Sequence, residues 1–229
     1  MNSQRLLQLT LRLTPKIIWM RRVALNLTQN HLKMDKDDAT SVFRLVHQWS
    51  NNPDFDSPIC YYKPCGESND DTSETIPAGS EVPLFSKTDF LLVFQTREQA
   101  MMFLENDRVL LGDGTHGITG YGHFLLTLMV LNMWGQGLSV AWGISSKENH
   151  RIWYIFGKSL RPESLQAKPE VWMSDDTNSS WNGLIQVWTT LQHKLLCHFH
   201  IKKSVRKKCG CSGGKKKEVI IPSHHCHII

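Results

Sequence analysis

Hydrophobic residues recur along the chain in two spacings, one typical of helices and one typical of strands. Val42, Leu45, Val46 and Trp49 follow an i, i+3, i+4, i+7 pattern, which predicts a helix that begins at Asp37. Short apolar runs between polar or turn residues predict strands over 60–62, 90–94, 109–111, 124–131, 138–144, 171–173 and 194–199. Further helices are predicted after Thr96, over 149–160 and over 178–191.

The order of these elements predicts an α/β protein with a mixed sheet. Three strands in a meander come first, and right-handed βα crossover units follow, with helices on both faces. Residues 114–146 contain no Lys, Arg, Asp or Glu, so a membrane span is the alternative. Asn132 and the Gly135-Gln136-Gly137 turn split this stretch into two pieces of strand length. We therefore predict a buried hairpin and no membrane partner.

Shifts in composition divide the chain into four parts. Residues 1–66 are predicted to be an N-terminal helical region, and 67–86, rich in Ser, Asp, Glu, Thr and Pro, a flexible loop. Residues 87–207 hold the α/β core, and 208–229 form a basic, Cys/His-rich tail that we expect to be disordered. At the N-terminus, Leu6, Leu9 and Leu13 have helical spacing, and the segment contains Arg5 and Arg12 but no acidic residue. A mitochondrial presequence has this pattern, so mitochondrial localisation is one alternative.

Charge is distributed unevenly along the 229 residues, whose formal net charge is +5. Residues 1–34 contain six basic and no acidic residues, and 200–229 contain eight basic residues and one acidic residue. Residues 35–199 have 12 basic and 20 acidic residues, a net charge of −8. The basic ends favour a polyanionic partner, whereas the acidic body does not.

Two aspartates stand at the polar ends of predicted strands. Asp113 follows the apolar run that starts at residue 109, and Asp175 follows the run that starts at 171. If these strands are neighbours, the two carboxylates repel each other unless a divalent cation lies between them, and Mg²⁺ prefers oxygen ligands of this kind. Such a pair supports phosphoryl transfer with two metal ions. The alternative is equally open: Asp113 is a turn residue and Asp175 caps the following helix, with Asp176 as a cap or a partner of the ligands.

Two further patterns are weaker. The segment 112–117 has the G-x-G-x-x-G spacing of a dinucleotide-binding loop, but a strand is predicted to follow it, which argues against that class. Cys197 and His200 have the C-x-x-H spacing of half a metal site, although a buried thiol and a surface imidazole are the default interpretation. Cys and His residues in the tail could bind zinc by composition, but nothing apolar would pack around them.

Three ordered blocks resemble the MULE (Mutator-like element) transposase domain family over about residues 20 to 205. The first block is an Asp-x-Thr-His-Gly segment, followed by a hairpin and an apolar strand. The second is a Met-Ser-Asp-Asp run before a helix, and the third is a Leu-Cys-x-x-His segment. In this chain the blocks are Leu111-Gly112-Asp113-Gly114-Thr115-His116-Gly117, Met173-Ser174-Asp175-Asp176 and Leu196-Cys197-His198-Phe199-His200.

The resemblance implies an RNase H-like fold that cuts and rejoins DNA with a DDE-type acidic triad and two Mg²⁺ or Mn²⁺ ions. Asp113 and Asp175 would be the first two carboxylates and metal ligands. Cys197 and His200 would be the family's structural pair near the active site. His116 and Asp176 would contact the metal ligands and not the metal itself.

The third carboxylate should lie downstream of the C-x-x-H block, so we expect the core to be C-terminally incomplete and the activity to be impaired. DNA is the implied partner, with Arg21, Arg22, Lys202, Lys203 and Arg206 as candidate phosphate-binding residues, and 1–66 as a remnant of a DNA-binding region. The resemblance also implies nuclear localisation and a homodimer. A non-catalytic remnant that binds DNA or protein is the alternative function.

Overall fold

The computed structural model describes residues 37–66, 86–117 and 120–208, which form six helices and seven strands. The helices are α1 Asp38–Ser50, α2 Arg97–Glu105, α3 His150–Lys158, α4 Pro162–Leu165, α5 Ser179–Leu184 and α6 His198–Lys208. The strands are β1 Ile59–Lys63, β2 Leu91–Phe94, β3 Val109–Thr115, β4 Phe124–Leu131, β5 Gly137–Ser145, β6 Val171–Ser174 and β7 His193–Leu196. Predictions that concern 1–36, 67–85 and 209–229 lie outside the described residues.

All seven strands form one mixed sheet in the order β1-β2-β5-β4-β3-β6-β7. Strands β3, β4 and β5 are the antiparallel meander, and β6 and β7 add in parallel beside β3. On the other side, β2 pairs antiparallel with β5, and β1 pairs antiparallel with β2. The predicted α/β class and mixed sheet are therefore confirmed, and β1, from the N-terminal region, belongs to the same sheet.

Alternate residues of β2 pack on opposite faces of the sheet, as the pleat of a strand requires. Leu91 and Val93 join the larger core, together with residues from α3 and α5. Leu92 and Phe94 join a smaller core with Trp49 of α1. Apolar helix faces therefore cover both sides of the sheet at this position.

Side chains that cap the N-terminus of a helix set where α1, α2 and α3 begin. Asp37 accepts from the amide of Thr40, and Asn149 accepts from the amide of Ile152. Thr96 and Gln99 form a reciprocal capping box at α2. Each cap satisfies amides that a helix start would otherwise leave unpaired, which is why these sequence signals were informative.

Several predicted boundaries are wrong, and one of them is the strand expected over 109–111, which continues to Thr115. The helix expected over 178–191 ends at Leu184, because the chain turns there and buries Trp188, whose indole donates to the carbonyl of Ser164 at 3.2 Å. The strand expected over 194–199 ends at Leu196. Its neighbour β6 ends at Ser174, so β7 has no further strand to pair with, and α6 begins at His198.

The uncharged stretch around 124–145 is a β-hairpin, as predicted, with β4 paired to β5 along its length. None of the helices in the described ranges has the length and apolar character needed to span a bilayer. Trp142, Trp172 and Trp188 are buried, and Trp181 packs against the larger core, which contains Trp172 and Trp188.

Candidate active site

The parallel pairing of β3 with β6 brings the two candidate aspartates to one part of the sheet. Leu111 pairs with Met173. If the same register is continued by two residues along each chain, Asp113 comes opposite Asp175. Residues two apart point to the same face of a strand, so Asp113 shares a face with Leu111, and Asp175 would share that of Met173.

Asp113 lies inside β3 rather than at its end, since the pairing with β4 continues to Thr115. Its side chain is about half exposed, and Oδ2 accepts a hydrogen bond from Oγ1 of Thr115 at 2.9 Å. Nε2 of His200 lies 3.7 Å from the other oxygen, Oδ1. One carboxylate oxygen is thus oriented by a hydroxyl, and the other faces an imidazole.

Asp175 follows β6 directly and is half-buried. Its Oδ1 accepts from the amide of Thr177 at 3.1 Å and from the hydroxyl of the same residue at 2.7 Å. This Asx-type turn fixes the carboxylate before α5 begins. The N-cap position of α5 is Asn178, whose side chain makes no capping bond, and Asp176 is exposed.

The C-x-x-H segment, from Cys197 to His200, follows β7 at the edge of the sheet and leads back to Asp113. The amide of Cys197 donates to the carbonyl of Ser174 at 2.7 Å, which extends the association of β6 with β7 past the end of β7. Cys197 is a free, half-buried thiol. Helix α6 then begins and carries His200 back to Asp113. His116, the other predicted neighbour, stacks on Phe124 with ring centroids 4.5 Å apart.

A carboxylate that the sequence analysis did not single out lies in the same neighbourhood. Glu148, in the connection between β5 and α3, accepts a hydrogen bond from the indole Nε1 of Trp153 at 3.3 Å. Burial raises the pKa of Glu148 above its ordinary value; the negative charges of Asp175 and Asp113 add to this, and the Trp153 hydrogen bond opposes it. The negative charges of both aspartates therefore act on Glu148.

Comparison with known families bears on this arrangement. The model of the MULE transposase domain matches residues 109–204. The resemblance seen in the sequence is confirmed for that segment, which begins with β3 and ends within α6 and so includes both aspartates, Cys197 and His200. The match implies a transposase-related function and interaction with DNA. No curated protein matches the chain.

The segment that matches the MULE domain contains carboxylate and hydroxyl oxygens, and Mg²⁺ and Mn²⁺ prefer oxygen ligands. These residues therefore fit the metal ions that the family implies. Asp113, Glu148 and Asp175 are carboxylates, and Thr115 and Thr177 already orient two of them. In the described parts of the chain, no three His, Cys, Asp or Glu side chains are close enough to form a ready-made cage. Side-chain rotation would be needed to close the ligands around a cation.

Basic side chains of α6 follow His200 along the helix, away from Asp113. Lys203 lies one turn after His200, and Arg206 one turn after Lys203, both exposed. Lys202, the remaining predicted residue of this helix, is half-buried. Arg21 and Arg22 lie outside the described residues. A positive helix surface therefore starts beside the carboxylates.

The position of Glu148 was hard to anticipate because no local pattern marks it. It precedes Asn149, the N-cap of α3, where an acidic residue is ordinary. One residue of the sequence is related to this position: Gly114, which has no side chain and so leaves space beside β3. The sequence does not show that Glu148 fills this space, because the two residues belong to different elements.

Proposed function

We propose that this chain is a transposase-type catalytic segment that cleaves and joins DNA strands with divalent metal ions held by Asp113 and Asp175. The observation that supports the proposal is the register of β3 and β6, in which Leu111 pairs with Met173, two residues before Asp113 and Asp175, inside the segment that matches the MULE domain. The meander β3-β4-β5 followed by parallel β6 and β7 supports an RNase H-like arrangement of the sheet.

Asp113 and Asp175 would hold Mg²⁺ or Mn²⁺. The metal would supply an activated water or 3′ hydroxyl and stabilise the leaving oxygen. The protein's own residues position the ligands: Thr115 and Thr177 each donate a hydroxyl hydrogen bond to a carboxylate. His200, 3.7 Å from Asp113, limits the directions from which that carboxylate can be approached.

DNA would approach an acidic body through the basic surface of α6. Lys203 and Arg206 can bind phosphates, and the affinity should then fall steeply with salt as counterions are released. Replacement of both by Gln should reduce the slope of log affinity against log salt by about 1 for each phosphate that is no longer neutralised. We also propose nuclear localisation and a homodimer, neither of which this geometry addresses.

A non-catalytic remnant that binds DNA through α6 is the second candidate function. The exposed Lys203 and Arg206 favour it, because they do not depend on the carboxylates.

The deciding experiment measures Mn²⁺-dependent nicking of plasmid DNA by the purified chain. We expect nicking that is lost in Asp113→Asn and in Asp175→Asn. Asp54→Asn, which removes an exposed carboxylate in the turn after α1, is the matched control and should retain activity.

Nicking that persists in both active-site variants would refute the catalytic proposal. If no nicking occurs but binding to DNA depends on Lys203 and Arg206, the remnant function is the correct one. If neither nicking nor salt-dependent binding is found, both candidate functions are wrong.

A further inference from the structure

Aromatic rings from three neighbouring parts of the chain form a row at one end of the sheet. The ring of Tyr121, just before β4, lies 5.8 Å from that of His123, measured between centroids. His123 stacks on Phe90, which precedes β2, at 5.2 Å and an interplanar angle of 14°. Tyr62 of β1 then meets Phe90 edge-on at 6.2 Å. We call these four residues the aromatic row.

The aromatic row reaches the same face of the sheet as Asp113. Residues two apart in a strand share a face, and so do residues paired directly across two strands, so Thr115 extends the face of Asp113 towards β2. The pairs that cross the sheet are Thr115 with Leu125, Leu125 with Ile144 and Ile144 with Leu92. Phe90, two residues before Leu92, packs against the same smaller core. The aromatic row and Asp113 are therefore accessible from one side of the sheet.

Tyr121 is the open end of the aromatic row. It is 69% exposed, yet its hydroxyl donates to Oδ2 of Asp38 at 2.8 Å, where α1 begins. Its ring also contacts His123, and Gly122 between the two residues has a φ of 74°, which glycine adopts without strain. An exposed ring that is already held in one position loses little conformational entropy when a flat ligand stacks on it.

We propose that Tyr121 stacks on an unpaired base of the DNA strand that passes Asp113, with the rest of the aromatic row as its support. The inference rests on the proposed function, because it takes DNA as the partner, as the MULE match implies. It adds a contact with a base to the phosphate contacts of α6.

The charges around Tyr121 favour a base over a phosphate as its partner. The hydrogen bond to Asp38, together with the negative charges of Asp38 and Asp37, raises the pKa of Tyr121. The ring therefore stays uncharged at neutral pH, and the two carboxylates would repel a phosphate. A nucleobase is neutral and flat, and every base has a face that can stack on an aromatic ring.

The position of the aromatic row suits a base near the reacting phosphate and not the reacting nucleotide itself. Thr127 is the β4 partner of Asp113, and His123 precedes Thr127 by four residues. Four residues correspond to about 14 Å of strand at about 3.4 Å per residue. Tyr121 would thus position the DNA strand without touching the reacting atoms, so its replacement should raise KM and leave kcat nearly unchanged.

The test is fluorescence anisotropy of a labelled oligonucleotide, as a single strand and as a duplex, titrated with the purified full chain. Tyr121→Ala should weaken single-strand binding by about tenfold, as loss of one base stack typically does, and change duplex binding by less than about twofold. Tyr121→Phe keeps the ring and should retain most of the affinity. Trp134→Ala, which removes a 75% exposed ring in the turn at the other end of β4, is the matched control and should bind like the unaltered chain. Circular dichroism checks that each variant folds.

The salt dependence separates stacking from phosphate binding. Tyr121→Ala should lower the affinity without changing the slope of log affinity against log salt, whereas replacement of Lys203 and Arg206 should reduce that slope. A reduced slope in Tyr121→Ala, equal weakening of single-strand and duplex binding, or single-strand binding within about twofold of the unaltered chain would each overturn the inference. Nicking that depends on Asp113 would still support the proposed function in all three cases. If the unaltered chain binds no single-stranded DNA, the inference is wrong as well, and the nicking assay decides the proposed function separately.

Discussion

Gly112 of β3 lies against the indole of Trp172, and its replacement by alanine should disturb the core next to the candidate active site. A methyl group on Gly112 would lie 2.7 Å from Cζ2 of Trp172 and closer to Cη2. Carbon atoms in ordinary contact are about 3.5–4.0 Å apart. Trp172 has no exposed surface, and its ring packs on Trp153, so it cannot move away without disturbing a second buried ring.

The expected size of the effect follows from this overlap. Forcing one extra methyl group into a well-packed core typically costs about 1–3 kcal/mol. Replacement of glycine by alanine also stabilises the folded state by about 0.4–1 kcal/mol through the unfolded chain, where the backbone geometry allows it. We therefore expect Gly112→Ala to reduce the free energy of unfolding by about 2 kcal/mol, which corresponds to a fall in Tm of roughly 4–8 °C.

Gly114→Ala is the matched comparison, because the same methyl group is added on the same face of the same strand. There the methyl meets the end of the Glu148 side chain, which can rotate away. We expect a change in unfolding free energy below about 0.5 kcal/mol, in the range of ordinary surface substitutions. Urea denaturation followed by tryptophan fluorescence measures both variants.

A double variant tests the cause. In a Trp172→Phe background the atoms that meet the Gly112 methyl are absent, so the cost of Gly112→Ala should fall below about 1 kcal/mol. The reasoning is refuted if Gly112→Ala is as stable as the unaltered chain, or if its cost is the same with tryptophan and with phenylalanine at position 172.

Three further substitutions test the polar interactions that hold the sheet together. Gln95 is fully buried and donates to the carbonyl of Val140 at 3.0 Å, so Gln95→Leu should reduce the free energy of unfolding by about 2–4 kcal/mol in urea denaturation, since it leaves buried partners unpaired. Arg161 donates from Nε to the carbonyl of Gln95 at 2.9 Å; Arg161→Lys should reduce Tm nearly as much as Arg161→Met does, and a Tm of Arg161→Lys close to that of the unaltered chain would contradict a role for the guanidinium geometry. Burial alone would raise the pKa of Asp89, but hydrogen bonds, including one from Lys147, leave it below its ordinary value. Its contribution to stability is therefore present above the unfolded pKa and lost as the pH falls through the folded pKa, so Asp89→Asn should be about 1–3 kcal/mol less stable at pH 7 and closer to the unaltered chain at pH 3; an equal difference at both pH values would refute this.

The active-site aspartates were partly predictable from the chain. Both Asp113 and Asp175 follow apolar runs, and the MULE blocks give their roles as expectations. Their placement on neighbouring strands was not predictable from spacing alone, because 61 residues separate them and only the tertiary structure shows that β3 pairs with β6. The alternative that Asp175 caps the following helix is wrong, because Asn178 is the N-cap of α5; Asp175 instead accepts two hydrogen bonds from Thr177 in a local turn.

Boundaries failed where a neighbouring element decided them. The end of β7 depends on the end of β6, and the end of α5 depends on the burial of Trp188. Neither signal is local. Helix starts were easier, because Thr96 and Asn149 cap their own helices within three residues along the chain.

By itself, the sequence determined the order of helices and strands, their caps, the α/β class and the resemblance to the MULE family, because periodicity, capping and motifs all act over a few residues. The tertiary structure alone decided which strands pair, and therefore that Asp113 and Asp175 each follow a pair of residues in neighbouring strands and that His200 lies 3.7 Å from Asp113. It also explained Gly112 and Gly114: one leaves space for a buried indole and the other for Glu148. A glycine gives no periodic signal in the sequence, so the reason for it is known only when the structure shows which side chain occupies the space beside it.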